Sequence, residues 1–173
     1  WTDKLQTTFE RMYSYSIRGH LPELMLEVDG KKVSKARLDY RNCLTHLFST
    51  NFARQIAAWC GEQGIMLTGH LLFEELLHTQ TLVIGSPMRF YEHMQAPGID
   101  MLGQFGNNFD VAKQCQSVVN QTGRSWMLSE LYGCTGWDFD FEGHKAVGDW
   151  QAALGVNLRC PHLAWYTMKG EAK

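Results

Sequence analysis

A carboxylate and an indole lie close together in the segment between residues 126 and 138. An apolar, strand-like pattern leads to Glu130, and a glycine-punctuated loop then carries Trp137 and Asp138. Glycoside hydrolysis needs carboxyl groups positioned as acid and base around an oxocarbenium-like transition state, and the apolar faces of pyranose rings stack on indoles. The segment therefore predicts a sugar site. The alternative interpretation of Glu130 is a solvated surface glutamate at a strand end.

Further acids, imidazoles and indoles follow the other strand-like segments of the chain. They are His70, Glu74 and Glu75 after the first such segment, Asp100 after the second, and His162 and Trp165 after the fourth. The carboxyl ends of parallel strands share one face of a sheet, and ligands bind on that face. We therefore expect these side chains and Glu130 to converge on one cleft.

Each of these residues also has a structural interpretation. Glu74 and Glu75 can place negative charge in the first turn of a following helix, where carboxylates are favoured. Asp100 can cap a turn, and His70 can be a structural histidine that holds a neighbouring carboxylate. Asp140 is predicted to cap the helix that begins directly after it. The position of each side chain in the fold must decide between these interpretations.

A transition-metal centre is the competing catalytic interpretation. Glu75 and His78 have the E-x-x-H spacing that places a carboxylate and an imidazole on one helical face of di-iron proteins. Glu74 stands where an H-E-x-x-H zinc motif has its first histidine. The chain contains no second E-x-x-H, so both motifs are incomplete and neither predicts a metal site.

Alternating strand-like and helix-like segments must position these side chains. An amphipathic helix over residues 3–15 is followed by an irregular lead-in over 20–33 and a long helical pattern over 34–60. The predicted strands are 65–68, 99–102, 125–131 and 156–159, and the predicted helices between them are 87–95, 111–121 and 141–154. The strands recur about every 30 residues, which is the size of one βα unit.

The predicted fold class is α/β, with parallel βα repeats and a sheet buried on both faces. A doubly wound sheet and a (β/α)8 TIM-type barrel both satisfy the pattern. No G-x-G-x-x-G follows the first strand, and the polar residues follow several strands, which favours the barrel. A whole barrel takes about 250 residues. The domain prediction is therefore a lead-in of helix and irregular chain over residues 1–33 and a partial (β/α)8 catalytic barrel over 34–173.

Composition argues against several classes of function. The 173 residues are 45% hydrophobic, enough for one ordinary core, and carry a formal net charge of -2 with a pI near 6.4. Basic residues are scattered, so binding to nucleic acid is not expected. No apolar run reaches the roughly 18–20 residues of a membrane helix. The five cysteines include no C-x-x-C pair and are predicted to be buried thiols.

Four motifs occur in a recognisable order along the chain. They are LTGHLLFEE at 67–75, APGID at 96–100, LSELYGCTGW at 128–137, and GDWQAALGVN with PHLAWY between 148 and 166. Together they resemble the central catalytic barrel of large bacterial glycoside hydrolases related to the family 106 α-L-rhamnosidases. The resemblance covers residues 33–173. It implies a piece of a (β/α)8 barrel from a periplasmic or secreted enzyme that degrades plant or bacterial polysaccharides, with further domains in the same parent chain. Such a piece can be inactive on its own.

The resemblance also implies roles for individual residues. Glu74, with Glu75 close behind, and Glu130 would be the catalytic carboxylates, with Glu74 favoured as the general acid and Glu130 as the base that activates water. This is an inverting arrangement with carboxyls about 6.5–9.5 Å apart, acting on a sugar such as a rhamnoside. The sugar would be contacted by His70, Asp100, Trp137, Asp138, His162 and Trp165. Some relatives hold a calcium ion near the sugar, and no other cofactor is expected.

A second function class stays open at this point. In a non-catalytic carbohydrate-binding or assembly piece of a larger protein, the indoles would bind sugar and Glu130 would only accept hydrogen bonds from hydroxyl groups. A catalytic pair predicts that one glutamate is partly desolvated and has a raised pKa, as a general acid requires. A binding site tolerates both glutamates as ionised, exposed groups.

Overall fold

The computed structural model describes residues 2–28, 30, 33–103, 108–162 and 169. Its centre is a four-stranded parallel sheet that curls like half of a barrel. The strands are β1 Thr68–Gly69, β2 Ala96–Asp100, β3 Leu128–Leu131 and β4 Leu158–Pro161. The α/β class with parallel strands is confirmed, and the sheet has half of the eight strands that close a (β/α)8 barrel.

Strand order follows chain order across the sheet. β1 pairs with β2, β2 with β3 and β3 with β4, and every pair is parallel. A doubly wound sheet reverses its strand order at a switch point, and these four strands show no reversal. Of the two folds that the sequence left open, the barrel has this sequential order. All four carboxyl ends lie along one side of the sheet, which we call the carboxyl edge.

Helices precede the sheet and connect its strands. Before β1 lie α1 Asp3–Tyr13, a 3-10 turn Ile17–His20, α2 Leu21–Met25, α3 Lys35–Phe48, a π-helical segment Ser49–Ala53 and α4 Arg54–Glu62. Between strands lie α5 Leu77–Val83 and α6 Pro87–Tyr91, then α7 Phe109–Thr122, and finally α8 Phe141–Ala153. In the part of the chain that the structure describes, no helix is both long and apolar enough to cross a membrane.

The N-terminal segment packs as predicted but is more helical. α1 ends at Tyr13 because Ser14 adopts a left-handed conformation with φ 62°, which terminates a helix. Leu5 and Phe9 on its apolar stripe are buried in a small core cluster with Cys43 of α3. The lead-in over 20–33, predicted to be irregular, contains the short helix α2.

The long helical pattern over 34–60 is confirmed, with one interruption. Ser34 caps α3, because its Oγ accepts the backbone N–H of Arg37 at 3.2 Å. The π-helical segment follows α3 directly and leads into α4. A π turn contains an extra residue and moves the apolar stripe away from the 3.6-residue period. Phe52 and Trp59, which lie within and after it, are exposed.

β1 differs most from its prediction. The strand expected over 65–68 occupies only Thr68–Gly69. The Ile65 N–H donates to the Cys60 carbonyl at 3.0 Å, so this residue still belongs to the end of α4. The Leu67 N–H donates to the side-chain oxygen of Gln95 at 2.8 Å and not to a neighbouring strand. The other three predicted strands are present with shifted bounds.

The two faces of the sheet have different partners. In register, Ile99 of β2 lies beside Ser129 of β3, which lies beside Arg159 of β4. Ile99 belongs to the main core formed with α6 and α7, and the Arg159 guanidinium donates to the Gly148 carbonyl of α8 at 3.1 Å. Helices therefore cover this face. Successive residues of a strand point to opposite faces of the sheet. The residues that follow Ile99, Ser129 and Arg159 therefore point to the other face, which we call the inner face.

Candidate functional site

Four residues from four consecutive strand ends meet on the inner face at the carboxyl edge. Asp100 and Glu130 are Cα partners on β2 and β3. His70 follows β1; its Nδ1 lies 3.8 Å from Asp100 Oδ2 and its Nε2 lies 3.2 Å from Glu130 Oε2. His162 follows β4, and its Nε2 lies 3.8 Å from Glu130 Oε1. We call these four residues the carboxylate–histidine cluster.

Backbone contacts beyond the strands hold the cluster together. The His162 N–H donates to the Leu131 carbonyl at 2.7 Å, and the Tyr132 N–H donates to the Leu102 carbonyl at 2.7 Å. A Cβ on Gly133 would lie 2.7 Å from Cγ of His162. Only glycine therefore permits the loop after β3 to pass this close to the histidine ring.

The environment of the cluster raises the pKa of Asp100. The four side chains are 27–36% exposed, so they are partly desolvated but open to a ligand. Burial raises the pKa of Asp100 above its usual value near 3.8; His70 and His162 oppose this shift, and the carboxylates of Glu130 and Glu75 add to it. Asp100 Oδ1 is buried without a hydrogen-bond partner among the described residues. A buried, uncompensated oxygen disfavours the ionised form.

Glu74 is buried beside the cluster rather than open to the cleft. Its side chain is 3% exposed. Its Oε1 accepts the Leu71 N–H and, at 2.8 Å, the Tyr91 hydroxyl, while its Oε2 accepts the Asp100 N–H at 3.0 Å. Burial raises the pKa of Glu74, and these hydrogen bonds oppose the shift. The carboxylate thus joins the loop after β1 to the end of β2, and its burial with a raised pKa is what the sequence analysis expects of one glutamate in a catalytic pair.

Glu75 occupies a different environment from its neighbour. Its side chain is exposed, and its charge acts on the pKa of Asp100. The following helix, α5, begins only at Leu77 and has no acidic residue in its first turn. The alternative interpretation, in which Glu74 and Glu75 charge the first turn of that helix, is therefore wrong.

The loop between β3 and α8 carries the sugar contacts predicted after β3. Trp137 is 80% exposed, and Asp138 beside it is exposed as well. Asp140 caps α8 as predicted, because its Oδ1 accepts the Gly143 N–H at 2.9 Å. Trp165, the predicted contact after β4, lies outside the described residues.

An open cleft of 540 Å³ extends along this loop from the carboxyl edge. Its wall includes Gly103, three residues beyond Asp100, and Cys134, four residues beyond Glu130. Ligand sites commonly have volumes of about 300–1,000 Å³. The cleft is therefore large enough for a small ligand, but none of the four residues of the carboxylate–histidine cluster lines it.

Three members of the cluster also have the geometry to hold a metal ion. His70, Asp100 and Glu130 each offer one ligand atom, and these atoms lie within 4.8 Å of one another. An imidazole with two carboxylates suits zinc, manganese or iron. Calcium, which the resemblance implies, takes six to eight oxygen ligands. The described residues at the cluster include an imidazole and too few oxygens, so they do not fit calcium.

Two residues near the cluster were missed by the sequence analysis. Cys160 is the Cα partner of Glu130 on β4 and is exposed, so the prediction of buried thiols is wrong for Cys160 and for Cys134. Counting alternate residues along β4 would have placed Cys160 on the inner face. Tyr91 contacts Glu74 and lies 17 residues farther along the chain, so no local sequence pattern predicts this contact.

No family model matches the chain, and neither does any curated protein or solved structure. The resemblance to the family 106 enzymes therefore stays a hypothesis. The functional argument depends on the geometry of the cluster and on the chemistry of its residues.

Proposed function

We propose that the chain forms the catalytic edge of a glycoside hydrolase, with Asp100 and Glu130 as its catalytic carboxylates. The observation that carries the proposal is the pairing of these side chains on adjacent parallel strands, with the His70 imidazole between them. Most glycoside hydrolases require two carboxyl groups that flank the scissile bond. The open cleft on the loop after β3 is not lined by either carboxylate, so the proposal rests on the pair itself.

Asp100 is the general acid in this proposal. Burial raises its pKa, His70 and His162 oppose this shift and Glu130 and Glu75 add to it; an upward shift is the direction that a general acid needs to protonate the leaving glycosidic oxygen. Glu130 is the carboxylate that acts at the anomeric carbon. His70 and His162 face its two oxygens and orient them. The two carboxyls thus have different surroundings, as an acid and its partner require.

We propose retention of configuration, because 4.8 Å is the upper limit of the shortest oxygen–oxygen separation in the pair and is smaller than the spacing of inverting enzymes. An Asp100 oxygen lies within 4.8 Å of a Glu130 oxygen. Retaining enzymes have carboxyls about 5–5.5 Å apart, and inverting enzymes about 6.5–9.5 Å apart. Glu130 would attack the anomeric carbon and form a glycosyl ester while Asp100 protonates the leaving group. Asp100 would then take a proton from the water that hydrolyses the ester. The inverting pair of Glu74 and Glu130 is not part of this proposal.

Glu74 and Glu75 support the pair in this account without contacting substrate. Glu74 fixes the backbone of Asp100 and the loop after His70 through its hydrogen bonds. Glu75 adds negative charge near Asp100 and raises its pKa. Glu74 is therefore a positioning residue in the proposal.

The wider context of the proposal comes from the resemblance. The four-stranded sheet would be half of a (β/α)8 barrel, with the remaining strands supplied by a larger periplasmic or secreted enzyme. The substrate would be a plant or bacterial polysaccharide, for example one with rhamnosyl units.

Turnover by conservative variants tests the proposal. The chain is incubated with a panel of aryl glycosides and polysaccharides, and released aglycone or reducing ends are measured. Glu130→Gln and Asp100→Asn are expected to lower kcat by about 10²–10⁴-fold, the usual contribution of a positioned acid or base. Glu62→Gln, an exposed glutamate at the end of α4, is the control and keeps wild-type activity. Wild-type rates in both cluster variants would refute the proposal.

A metal-dependent hydrolase is a second candidate function. It is favoured by the three ligand atoms of His70, Asp100 and Glu130, at which zinc or manganese could activate a water molecule. Isothermal titration with Zn²⁺ and Mn²⁺ decides between the candidates. Binding that is lost in His70→Ala but kept in His78→Ala, an exposed histidine of α5, would favour the metal enzyme. Absence of binding would exclude it.

A further inference from the structure

A second cleft, of 470 Å³, lies between α1 and the helical run from α3 to α4, and it is rich in positive charge. Its basic residues are Lys4 and Arg11 of α1, His46 of α3 and Arg54 of α4. Among the described residues that line it, Asp3 is the only carboxylate. The chain as a whole has a formal net charge of -2, so this concentration of positive charge is local. We call it the basic cleft.

The cationic side chains of the basic cleft are available to a ligand. Lys4, Arg11 and Arg54 are exposed, and none of them forms an ion pair with a carboxylate in the part of the chain that the structure describes. By contrast, Lys35 and Lys145 each pair with an aspartate four residues farther along the same helix. An anion in the basic cleft would therefore meet positive charge that no ion pair already compensates.

Two helical faces present these residues to the cleft. Lys4 and Arg11 are seven residues apart on α1, a spacing of two turns that places them on one side of the helix. His46, Thr50 and Arg54 follow one another at intervals of four residues, across the π-helical segment between α3 and α4. π turns are rare and occur frequently at functional sites. The only π-helical segment among the described residues thus contributes to the wall of the basic cleft.

An apolar cleft of 580 Å³ adjoins the basic cleft. The residues that line both clefts are Asp3, Lys4, Leu47 and Asn51. Phe48 and Phe52 form an aromatic wall of the apolar cleft, and their rings stack with 5.4 Å between centroids. Phe90 of the main core packs against both rings and supports them. A ligand that joins an anionic group to an apolar group would fit the two clefts together.

We propose that the basic cleft binds the oxyanion of a phosphate or sulfate ester, while the apolar group of the ester lies against Phe48 and Phe52. A guanidinium group donates two parallel hydrogen bonds to such an oxyanion, and lysine adds a point charge. A phosphate group offers three acceptor oxygens, so Arg11, Arg54 and Lys4 can all engage it. The resemblance covers residues 33–173 and assigns nothing to α1. The site shares no residue with the carboxylate–histidine cluster and does not depend on the proposed function.

Isothermal titration with phenyl phosphate and phenyl sulfate tests the site. At low ionic strength, at least one of these esters is expected to bind with a Kd below about 1 mM, and the tighter of the two identifies the preferred oxyanion. Inorganic phosphate and sulfate lack the apolar group and are expected to bind at least about fivefold more weakly than the matching ester. Benzyl alcohol lacks the charge and is expected to bind at least about tenfold more weakly.

Variants of exposed residues locate the binding. Arg11→Gln and Arg54→Gln are each expected to raise the Kd of the preferred ester at least about tenfold, because a hydrogen bond between charged groups is lost. Arg11→Lys keeps the charge but not the guanidinium fork, so its Kd should lie between those of the wild type and Arg11→Gln. Arg18→Gln is the matched control, since Arg18 is an exposed cation that contacts Gln6 of α1 but does not line the cleft.

Phe52→Ala separates the two halves of the site. It is expected to weaken binding of the preferred ester at least about threefold and to leave binding of the matching inorganic ion unchanged. The proposal is overturned if neither ester binds, if benzyl alcohol binds as tightly as the esters, or if Arg18→Gln weakens binding as much as Arg11→Gln. Glu130→Gln is expected to bind the ester with the wild-type Kd, so this site and the proposed function can fail independently.

Discussion

Glu74 and Glu130 carry the same functional group in different surroundings. Glu74 is 3% exposed and accepts hydrogen bonds from three donors, whereas the Glu130 side chain is 27% exposed and faces two imidazoles. The sequence predicts both as acids that follow strands. It does not reveal which one is open to solvent, because the contact from Tyr91 that helps to bury Glu74 spans 17 residues. The residue types of the site could therefore be predicted, but the pairing of Glu130 with Asp100 could not.

Glu74→Gln is expected to lower the free energy of unfolding by about 1–3 kcal/mol, the usual cost of leaving a buried hydrogen-bonding group unsatisfied. The amide nitrogen of glutamine is a donor, so it would face either the Asp100 N–H or the Leu71 N–H. Urea denaturation near neutral pH measures the loss. Glu75→Gln is the matched control, since its exposed side chain predicts a change within about 0.5 kcal/mol. Equal midpoints for the two variants would contradict the structural role of Glu74.

The raised pKa of Asp100 predicts a pH-dependent contribution to stability. A folded-state pKa above the unfolded value near 3.8 means that the folded chain binds the proton more tightly. The stabilisation that Asp100 provides is therefore full below that pH and is lost as the pH rises through the folded pKa. The difference in unfolding free energy between the wild type and Asp100→Asn is expected to fall over this window. Denaturation at a series of pH values from about 3.5 to 6 measures it. A difference that grows with pH would contradict the assigned environment.

At the scale of elements, the path of β1 against β2 depends on one glycine. A Cβ on Gly98 would lie 2.5 Å from the Gly69 carbonyl and 3.0 Å from a methyl of Leu128. Gly98→Ala must push β1 away from β2 and is expected to cost about 1–3 kcal/mol, the range for overpacking. Because His70 follows β1, this variant should also disturb the cluster.

The control for Gly98→Ala is Gly19→Ala in the 3-10 turn. A Cβ there meets nothing within 4 Å, so the change should stay within about 0.5 kcal/mol. Chemical denaturation compares the two variants. If both have the wild-type midpoint, the close approach of β1 and β2 is not what positions the cluster.

The two long helices α7 and α8 could be predicted more reliably than the short elements: α5 was not predicted, and α6, expected over 87–95, ends at Tyr91. The periodic apolar residues of α7 and α8 and the Asp140 cap identified both helices to within two residues at each end. β1 pairs through only two residues, and the apolar stretch before it bonds to the end of α4 and to Gln95. The first and last residues of a short strand depend on such long-range partners, and a local sequence pattern does not identify these partners.

At the scale of the whole molecule, the sequential parallel order of four strands makes one carboxyl edge. The βα period predicted the parallel sheet, and sequential pairing explains why residues up to 92 positions apart, His70 and His162, both reach Glu130. Curling brings the inner faces of all four strands toward one another.

The central claim is that Asp100 and Glu130 act as a closely spaced pair on one glycosidic bond. Proton NMR of the first product formed from a cleaved glycoside, recorded before mutarotation, tests it most directly. The account predicts that the product keeps the anomeric configuration of the substrate, and that Glu130→Gln forms it at least about a hundredfold more slowly. A product of inverted configuration, or one formed at the wild-type rate by Glu130→Gln, would contradict the account.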